Sequence, residues 1–341
     1  MSKYVSDPNT IKKIKKKTDK KSKQPSKTGG IDINNYNKET LHALLRSDFK
    51  SFVIKIFNEV SGGAQYKDNW HVDLICHELM NMLEGKNNRL IINIPPRYLK
   101  SIICSVALPA FLLGHHPDAS IICVSYSNDL SSKFANDCRN VILSFWYKEL
   151  FSGTSLSQSK KATDDFETTK GGGRFATSIG GTITGRGADW IIIDDPLKPA
   201  DAMSDNQREK VNEWYGSTLY SRLNNKDTDK IILIMQRLHE NDLTGFLIDS
   251  EHSFKHLKLP VIAEEDEEWL IKNRVTGKEK TIRRKKDELL HHEREDWDVI
   301  TDLQRSLGTF AFAGQYQQNP APVEGAVSIF YCIRYVFIVN K

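Results

Sequence analysis

The sequence Ile94-Pro95-Pro96-Arg97-Tyr98-Leu99-Lys100-Ser101 directly follows the short apolar run Arg89–Ile94 and opens a periodic segment that begins near Lys100. A strand, a tight loop and Lys-Ser at a helix N-terminus suit a phosphate chain. Unpaired backbone N–H groups and the helix dipole face the anion, the lysine neutralises β/γ-phosphate charge, and the serine hydroxyl reaches Mg²⁺. Both glycines of the usual phosphate loop are missing, because Ile94 and Leu99 stand in their places. Taken alone, the segment reads more readily as an ordinary strand–loop–helix junction with a surface lysine.

Ninety residues further on, Trp190-Ile191-Ile192-Ile193-Asp194-Asp195 is an apolar run ending in two carboxylates. In a parallel sheet such a strand delivers Asp194 beside the lysine loop to hold Mg²⁺, with Asp195 orienting or deprotonating the attacking water. A buried strand ending in acidic residues is also a common loop start. The two constellations together make ATP hydrolysis the leading expectation.

These side chains need a scaffold that brings distant strand ends together. Leu90–Ile94, Ser120–Ser125, Trp190–Ile193 and Lys230–Met235 are short and rich in β-branched residues, as strands are. Periodic segments near 101–113, 128–147 and 205–223 separate them, and further helices are expected over 39–60, 70–83 and 296–307. Strands alternating with helices give the expected fold class, α/β, with a mainly parallel sheet covered on both faces. The glycines at 171–173 and 180–181 mark the stretch between the second and third strands as hairpin and loop.

Composition narrows the classes. In 341 residues, 39% hydrophobic and 27% charged, a wholly disordered chain, a collagen-like repeat and a small disulfide scaffold are excluded. The longest nearly unbroken apolar run, Ile102 to Leu113, is shorter than the roughly 20 residues of a spanning helix, so no membrane span is expected. The lysine-rich start has no apolar stretch behind it, which excludes a secretory signal. The five cysteines (76, 104, 123, 138 and 332) lack metal-ligand spacing and read as buried or free thiols. Residues 1–30 hold ten lysines against Asp7 and Asp19 and read as a disordered basic tail. It either attracts phosphates or is a solvated extension without a specific partner. His291-His292 with Glu293 and Glu295 reads as a solvated charged face rather than a metal site.

From about Trp70 to Gly325 the order of segments resembles the large terminase subunit of tailed phages, the ATPase that drives DNA into the capsid. Ile91–Arg97 with Lys100-Ser101 is similar to that family's Walker A, and Gly180–Asp189 leads into Asp194-Asp195-Pro196 as into its Walker B. The run from Met235 to Gly245 resembles the segment coupling hydrolysis to movement, and Tyr316-Gln317-Gln318-Asn319-Pro320 the junction before a nuclease domain. The resemblance implies a P-loop NTPase core over 31–245 and a small linking subdomain over 246–325. It implies ATP and Mg²⁺ as cofactors, double-stranded DNA, the phage portal and the small terminase subunit as partners, a ring of like subunits, and the cytoplasm of a bacterial host. By the same resemblance Arg97 and Lys100 contact phosphates, Ser101 and Asp194 serve the metal, and Asp195 the water. Trp70-His71 lies at the adenine side, where His71 either contacts the base or packs the helix start. Arg186 either reaches a neighbouring subunit's nucleotide or makes ordinary loop hydrogen bonds, and the same choice applies to Gln236 as a γ-phosphate sensor. Two departures stand out: leucine at 99, where glycine is usual, and a tail over 326–341 without Asp or Glu. The first implies weakened nucleotide binding or abolished turnover, so a hydrolysis-deficient prophage remnant is the alternative expectation. The second implies a chain shortened before the nuclease, without nuclease activity, or else one exposed strand.

Overall fold

The computed structural model describes residues 37–250 and 253–321; the basic tail, residues 326–341 and Cys332 lie outside them. Eight strands form one sheet in the order β3-β4-β5-β2-β6-β7-β1-β8. They are β1 (Arg89–Asn93), β2 (Ser120–Ser125), β3 (Leu156–Lys161), β4 (Asp165–Thr168), β5 (Gly173–Ser178), β6 (Trp190–Asp194), β7 (Lys230–Met235) and β8 (Lys255–Lys258). All neighbours from β5 to β8 pair in parallel, and the β3–β4 hairpin continues the sheet antiparallel beyond β5. The α/β expectation therefore holds.

Both sheet faces are covered, because alternate side chains along a strand point to opposite faces. On β6, Trp190 and Ile192 join one core cluster while Ile191 and Ile193 join the other. The first cluster is closed by α1 (Lys38–Ser47), α2 (Phe49–Val60), α3 (Trp70–Leu83), α4 (Ile102–Ala107 continued by Leu108–His115), α5 (Asn128–Leu143) and α6 (Phe145–Leu150). The second is closed by α7 (Asp205–Trp214) and α8 (Leu243–Ser250). Helix α4 follows β1 and starts as a π-helical turn (Ile102–Ala107) before becoming α-helical (Leu108–His115). Truncating a side chain such as Ile192, fully buried between these layers, to alanine costs about 2–5 kcal/mol.

Three expectations change in detail. The helix expected over 39–60 is two helices, broken where the Asp48 carboxylate caps the second by accepting from Ser51 N at 2.9 Å. The segment 128–147 breaks at Ser144, which is extended (ψ 152°). The glycine-rich stretch expected as hairpin and loop also contains β5, a full parallel partner of β2. Glycine hides that strand because the neighbouring backbone leaves no room. A Cβ on Gly172 would sit 2.4 Å from the Asp118 carbonyl carbon, and one on Gly173 2.3 Å from Phe166 O.

Past the sheet, β9 (Glu267–Lys272) and β10 (Glu279–Arg284) form an antiparallel hairpin that packs on α3. Trp269 stacks on Trp70 at 5.2 Å, and the buried Arg284 donates to the carbonyls of Pro260, Val261 and Glu288. The last helix, α9 (Trp297–Gln315), kinks at Gly308 (φ 75°), where the sequence periodicity also stops. No helix among the described residues is long and apolar enough to cross a membrane.

Candidate active site

The C-terminal ends of β1, β7 and β6 lie side by side, and each contributes a polar residue just past its last apolar one. From β1 comes the loop 94–99. Its backbone turns through positive φ at Arg97 (70°) and Leu99 (66°). For residues with a Cβ such a conformation costs about 1–2 kcal/mol each. Residues 96–97 form a tight turn just before the helix that opens at Lys100. Free N–H groups at the start of a helix are an anion-binding arrangement.

Lys100 is buried, and its Nζ lies 3.0 Å from Asp195 Oδ2. Ser101 Oγ donates to Asp194 Oδ1 at 3.1 Å, and Ser105 Oγ donates to Asp194 Oδ2 at 2.7 Å. Both oxygens of Asp194 are thus held by hydroxyls from successive turns of α4. Burial first, and then the neighbouring Asp195, raises the Asp194 pKa; Lys100 and the two serines pull it back. A carboxylate so disfavoured in its ionised form, facing a serine hydroxyl, is a hard-oxygen donor set suited to Mg²⁺ when substrate phosphates complete the shell. Among the described residues no cluster of three His, Cys, Asp or Glu side chains could hold a metal unaided.

Asp195 also stands at positive φ (46°), and its Oδ1 accepts from Gln236 N at 3.3 Å. Gln236, the residue after β7, is buried with its Oε1 unpartnered among the described residues. Behind it, Arg237 Nε donates to both oxygens of the fully buried Asp242, 3.0 Å each, while Arg237 N donates to Gln318 Oε1 at 2.9 Å. The Tyr316–Pro320 segment is therefore tied to the loop after β7.

A cleft of about 250 Å³ lies against the other side of the loop, lined by His71, Arg97, Tyr98, Leu99, His291 and Arg294 among others. His71 is buried, and burial drives its pKa down to about 3 against the opposing pull of the Tyr98 backbone. Tyr98, the loop's bulky residue, donates its hydroxyl to Glu295 Oε2 at 2.7 Å. His291 is buried in this cleft rather than on a solvated face; His292, Glu293 and Arg294 beside it are exposed, and Glu295 is half-buried. The chain between β10 and α9 folds back over the loop, and that long-range contact overrides the local charge pattern.

The structure thus brings Lys100, Ser101, Asp194, Asp195 and Gln236 together, with Arg97 and His71 beside them. Arg186 is elsewhere. Its guanidinium forks onto Asp165 (Nη1–Oδ1 3.0 Å, Nη2–Oδ2 2.7 Å) and stacks on the Phe175 ring at 4.0 Å. Those residues belong to β4 and β5, and β5 lies four strand positions from β1, about 19 Å at ordinary spacing. Arg186 cannot serve the loop of its own subunit from there. Ser105 was not singled out from the sequence, although its place one turn after Ser101 at a helix start is the signal that marks it. The cysteines at 76, 104, 123 and 138 are buried and free, as expected.

No family model matches the chain, and no curated protein matches it in sequence. Among solved structures, the large terminase of bacteriophage HK97 is similar over 62% of this chain and 44% of its own. The identity is 14% and the TM-score 0.40. A large terminase from a thermophilic bacteriophage, in complex with ADP, is similar over 79% of this chain and 52% of its own, at 8% identity and a TM-score of 0.36. The chain thus spans about half the length of these proteins or less.

Proposed function

We propose that the protein is a Mg²⁺-dependent P-loop ATPase that drives double-stranded DNA into a phage capsid as a motor subunit. The observation that carries the ATPase reading is the convergence of Lys100, Ser101, Asp194 and Asp195 at neighbouring strand ends, beside a strained loop that opens a helix. The DNA-packaging part rests on the motif order along the sequence. So do the expected partners (portal, small subunit and a ring of like subunits) and the bacterial cytoplasm.

In this reading Lys100 exchanges Asp195 for the β/γ-phosphates when nucleotide arrives. The exchange frees Asp195 to orient the attacking water and accept its proton. Ser101 and Asp194 would hold Mg²⁺, which when bound neutralises charge on the phosphates. Gln236, whose Oε1 needs a partner, lies between the carboxylates and the loop and senses the γ-phosphate. Arg97 adds a second cation to the phosphates, and His71 borders the base. Arg186 acts on the nucleotide of a neighbouring subunit.

A second reading has an observation in its favour. Leu99 is held at φ 66°, with its side chain packed against the first core cluster and on the wall of the neighbouring cleft. A protein that binds nucleotide without turning it over, a decayed relative of the motor, would follow from that strain. Steady-state phosphate release with and without duplex DNA separates the two. The motor reading expects Mg²⁺-dependent release stimulated by DNA, and lost in Asp195→Asn. Nucleotide binding with no release, alone or with DNA, in wild type and in Leu99→Gly would contradict it.

A further inference from the structure

Arg174, on β5, is a buried cation that the phosphate chemistry does not use. It is 1% exposed, and its Nη2 donates to the Ser105 carbonyl oxygen at 3.2 Å. Nε and Nη1 find no hydrogen-bond partner among the described residues and have almost no exposed surface, so they offer nothing to a ligand. The Cys123 thiol beside the guanidinium is a weak acceptor. A buried cation with so few acceptors is a burden to the fold, and an apolar side chain of similar volume in such a place is often neutral or stabilising. Scaffold duty therefore does not account for it, and what its one bond reaches becomes the question.

Strand β2 lies between β5 and β6. Ile121 pairs with both Arg174 and Trp190, and Ser125 pairs with Asp194. Alternate residues share a face, so Arg174 and Asp194 stand on the same face of the sheet, with Cys123 between them. Both charges act on that thiol: burial pushes its pKa up, Arg174 pulls it down and Asp194 raises it again. The π-helical turn of α4 carries Ser105 over this face. Its hydroxyl donates to Asp194 Oδ2 at 2.7 Å while its carbonyl accepts from Arg174, so one residue bridges the two strands. In a regular α-helix the Ser105 carbonyl would accept from the amide four residues on, but that residue is Pro109, which has none. Arg174 supplies a donor from outside the helix. Turns of π-helix are rare and gather at functional sites.

We propose that Arg174 is a positioning residue for the metal carboxylate: it holds the Ser105 carbonyl, fixes the π-helical turn and so aims the Ser105 hydroxyl at Asp194. The inference rests on the reading of Ser101 and Asp194 as the Mg²⁺ site. It adds a part from a third strand, which itself touches no ligand.

Calorimetric titration with ATP, in Mg²⁺ and in EDTA, tests it on wild type, Arg174→Met, Ser105→Ala and the double variant, with melting temperatures alongside. Mg²⁺ tightens ATP binding by wild type. Arg174→Met melts no lower than wild type and loses roughly three- to tenfold of the Mg²⁺-dependent gain, the scale of one hydrogen bond, with affinity in EDTA unchanged. The double variant loses no more than Ser105→Ala alone, because the arginine acts only through that hydroxyl. Arg174→Lys, which keeps a donor for the carbonyl, recovers part of the loss. An undiminished Mg²⁺ gain in Arg174→Met, losses that add in the double variant, or an Arg174→Met that fails to fold would each overturn the inference and spare the metal site. Wild type that binds ATP equally with and without Mg²⁺ overturns the metal site itself.

Discussion

Two clefts flank the sheet, and they are built on opposite terms. The larger, about 370 Å³, lies at the β4–β5 edge; its outer charges pair with one another, while the buried Arg174 on its wall leaves Nε and Nη1 unpartnered among the described residues. Arg186 forks onto Asp165, Lys160 pairs with Glu167 and lies 3.6 Å from Asp165, and the Phe175 ring backs the guanidinium. The smaller, about 250 Å³, adjoins the loop after β1. In and around it the buried Nε2 atoms of His71 and His291 and the amide oxygen of Gln236 have no partner among the described residues, and backbone strain is kept at Arg97, Leu99 and Asp195. Size therefore does not mark the chemistry. Backbone strain gathers at the smaller one, since three of the five non-glycine positions of positive φ among the described residues are Arg97, Leu99 and Asp195. Paired charges at the other edge hold Arg186 in one geometry until something competes for it.

The largest effect that could break this contrast concerns Arg186. If the arginine leaves Asp165 to act on a neighbour's nucleotide, Arg186→Ala should cut turnover of the assembled protein by about 10³-fold or more, with nucleotide binding nearly unchanged. If the fork is only a partly exposed ion pair, the variant loses about 0–1 kcal/mol of stability and no activity. Mixing Arg186→Ala with Lys100→Ala sharpens the comparison, because each keeps what the other lacks and active mixed interfaces should form. Absence of any recovered phosphate release, with co-assembly established by light scattering, would mark Arg186 as a structural residue.

A smaller effect is expected from Leu99→Gly. Relief of positive φ, about 1–2 kcal/mol, is offset by about 1 kcal/mol of backbone entropy, so the melting temperature should move little. Clearing the side chain from the loop should still raise nucleotide affinity or turnover several-fold, up to about tenfold. Unchanged binding and turnover would show that Leu99 is not what limits the site.

Smaller again is the effect of Ser105→Ala. The hydroxyl donates to Asp194 Oδ2 and favours the ionised carboxylate, so its loss raises a pKa that burial has already raised. Protons compete with Mg²⁺ for that carboxylate. Mg²⁺-dependent nucleotide affinity should therefore fall on acidification well before the ordinary aspartate pKa of about 3.9 is reached. In Ser105→Ala the fall should begin at still higher pH, with a loss of roughly three- to tenfold near its midpoint. Superimposable pH profiles for the two proteins would remove Ser105 from the site.

How much of this was legible in the sequence depends on how local the cause is. The Lys100–Ser101 and Asp194–Asp195 pairs could be read because each ends an apolar run and begins a polar one. The parallel sheet could be read because its strands are short, β-branched and spaced by helical segments. Leu99 could be singled out because the position before the lysine demands a conformation that suits glycine, and φ 66° is that conformation. Strand β5 was hidden because close backbone packing requires glycines that also signal loops. The burial of His291 and the Asp165 partner of Arg186 depend on contacts between distant segments, which no local pattern carries. Local chemistry was visible, whereas what closes over it was not.

The central claim, that the loop over 94–101 binds the phosphates of a nucleotide through Lys100, is tested most directly by titrating wild type and Lys100→Ala with Mg²⁺·ATP in a calorimeter. A buried ammonium in direct contact with phosphate contributes on the scale of a charge-assisted hydrogen bond or more. The account expects Lys100→Ala to bind roughly 100-fold more weakly, with its fold intact by circular dichroism. Equal affinity in the two folded proteins would contradict it.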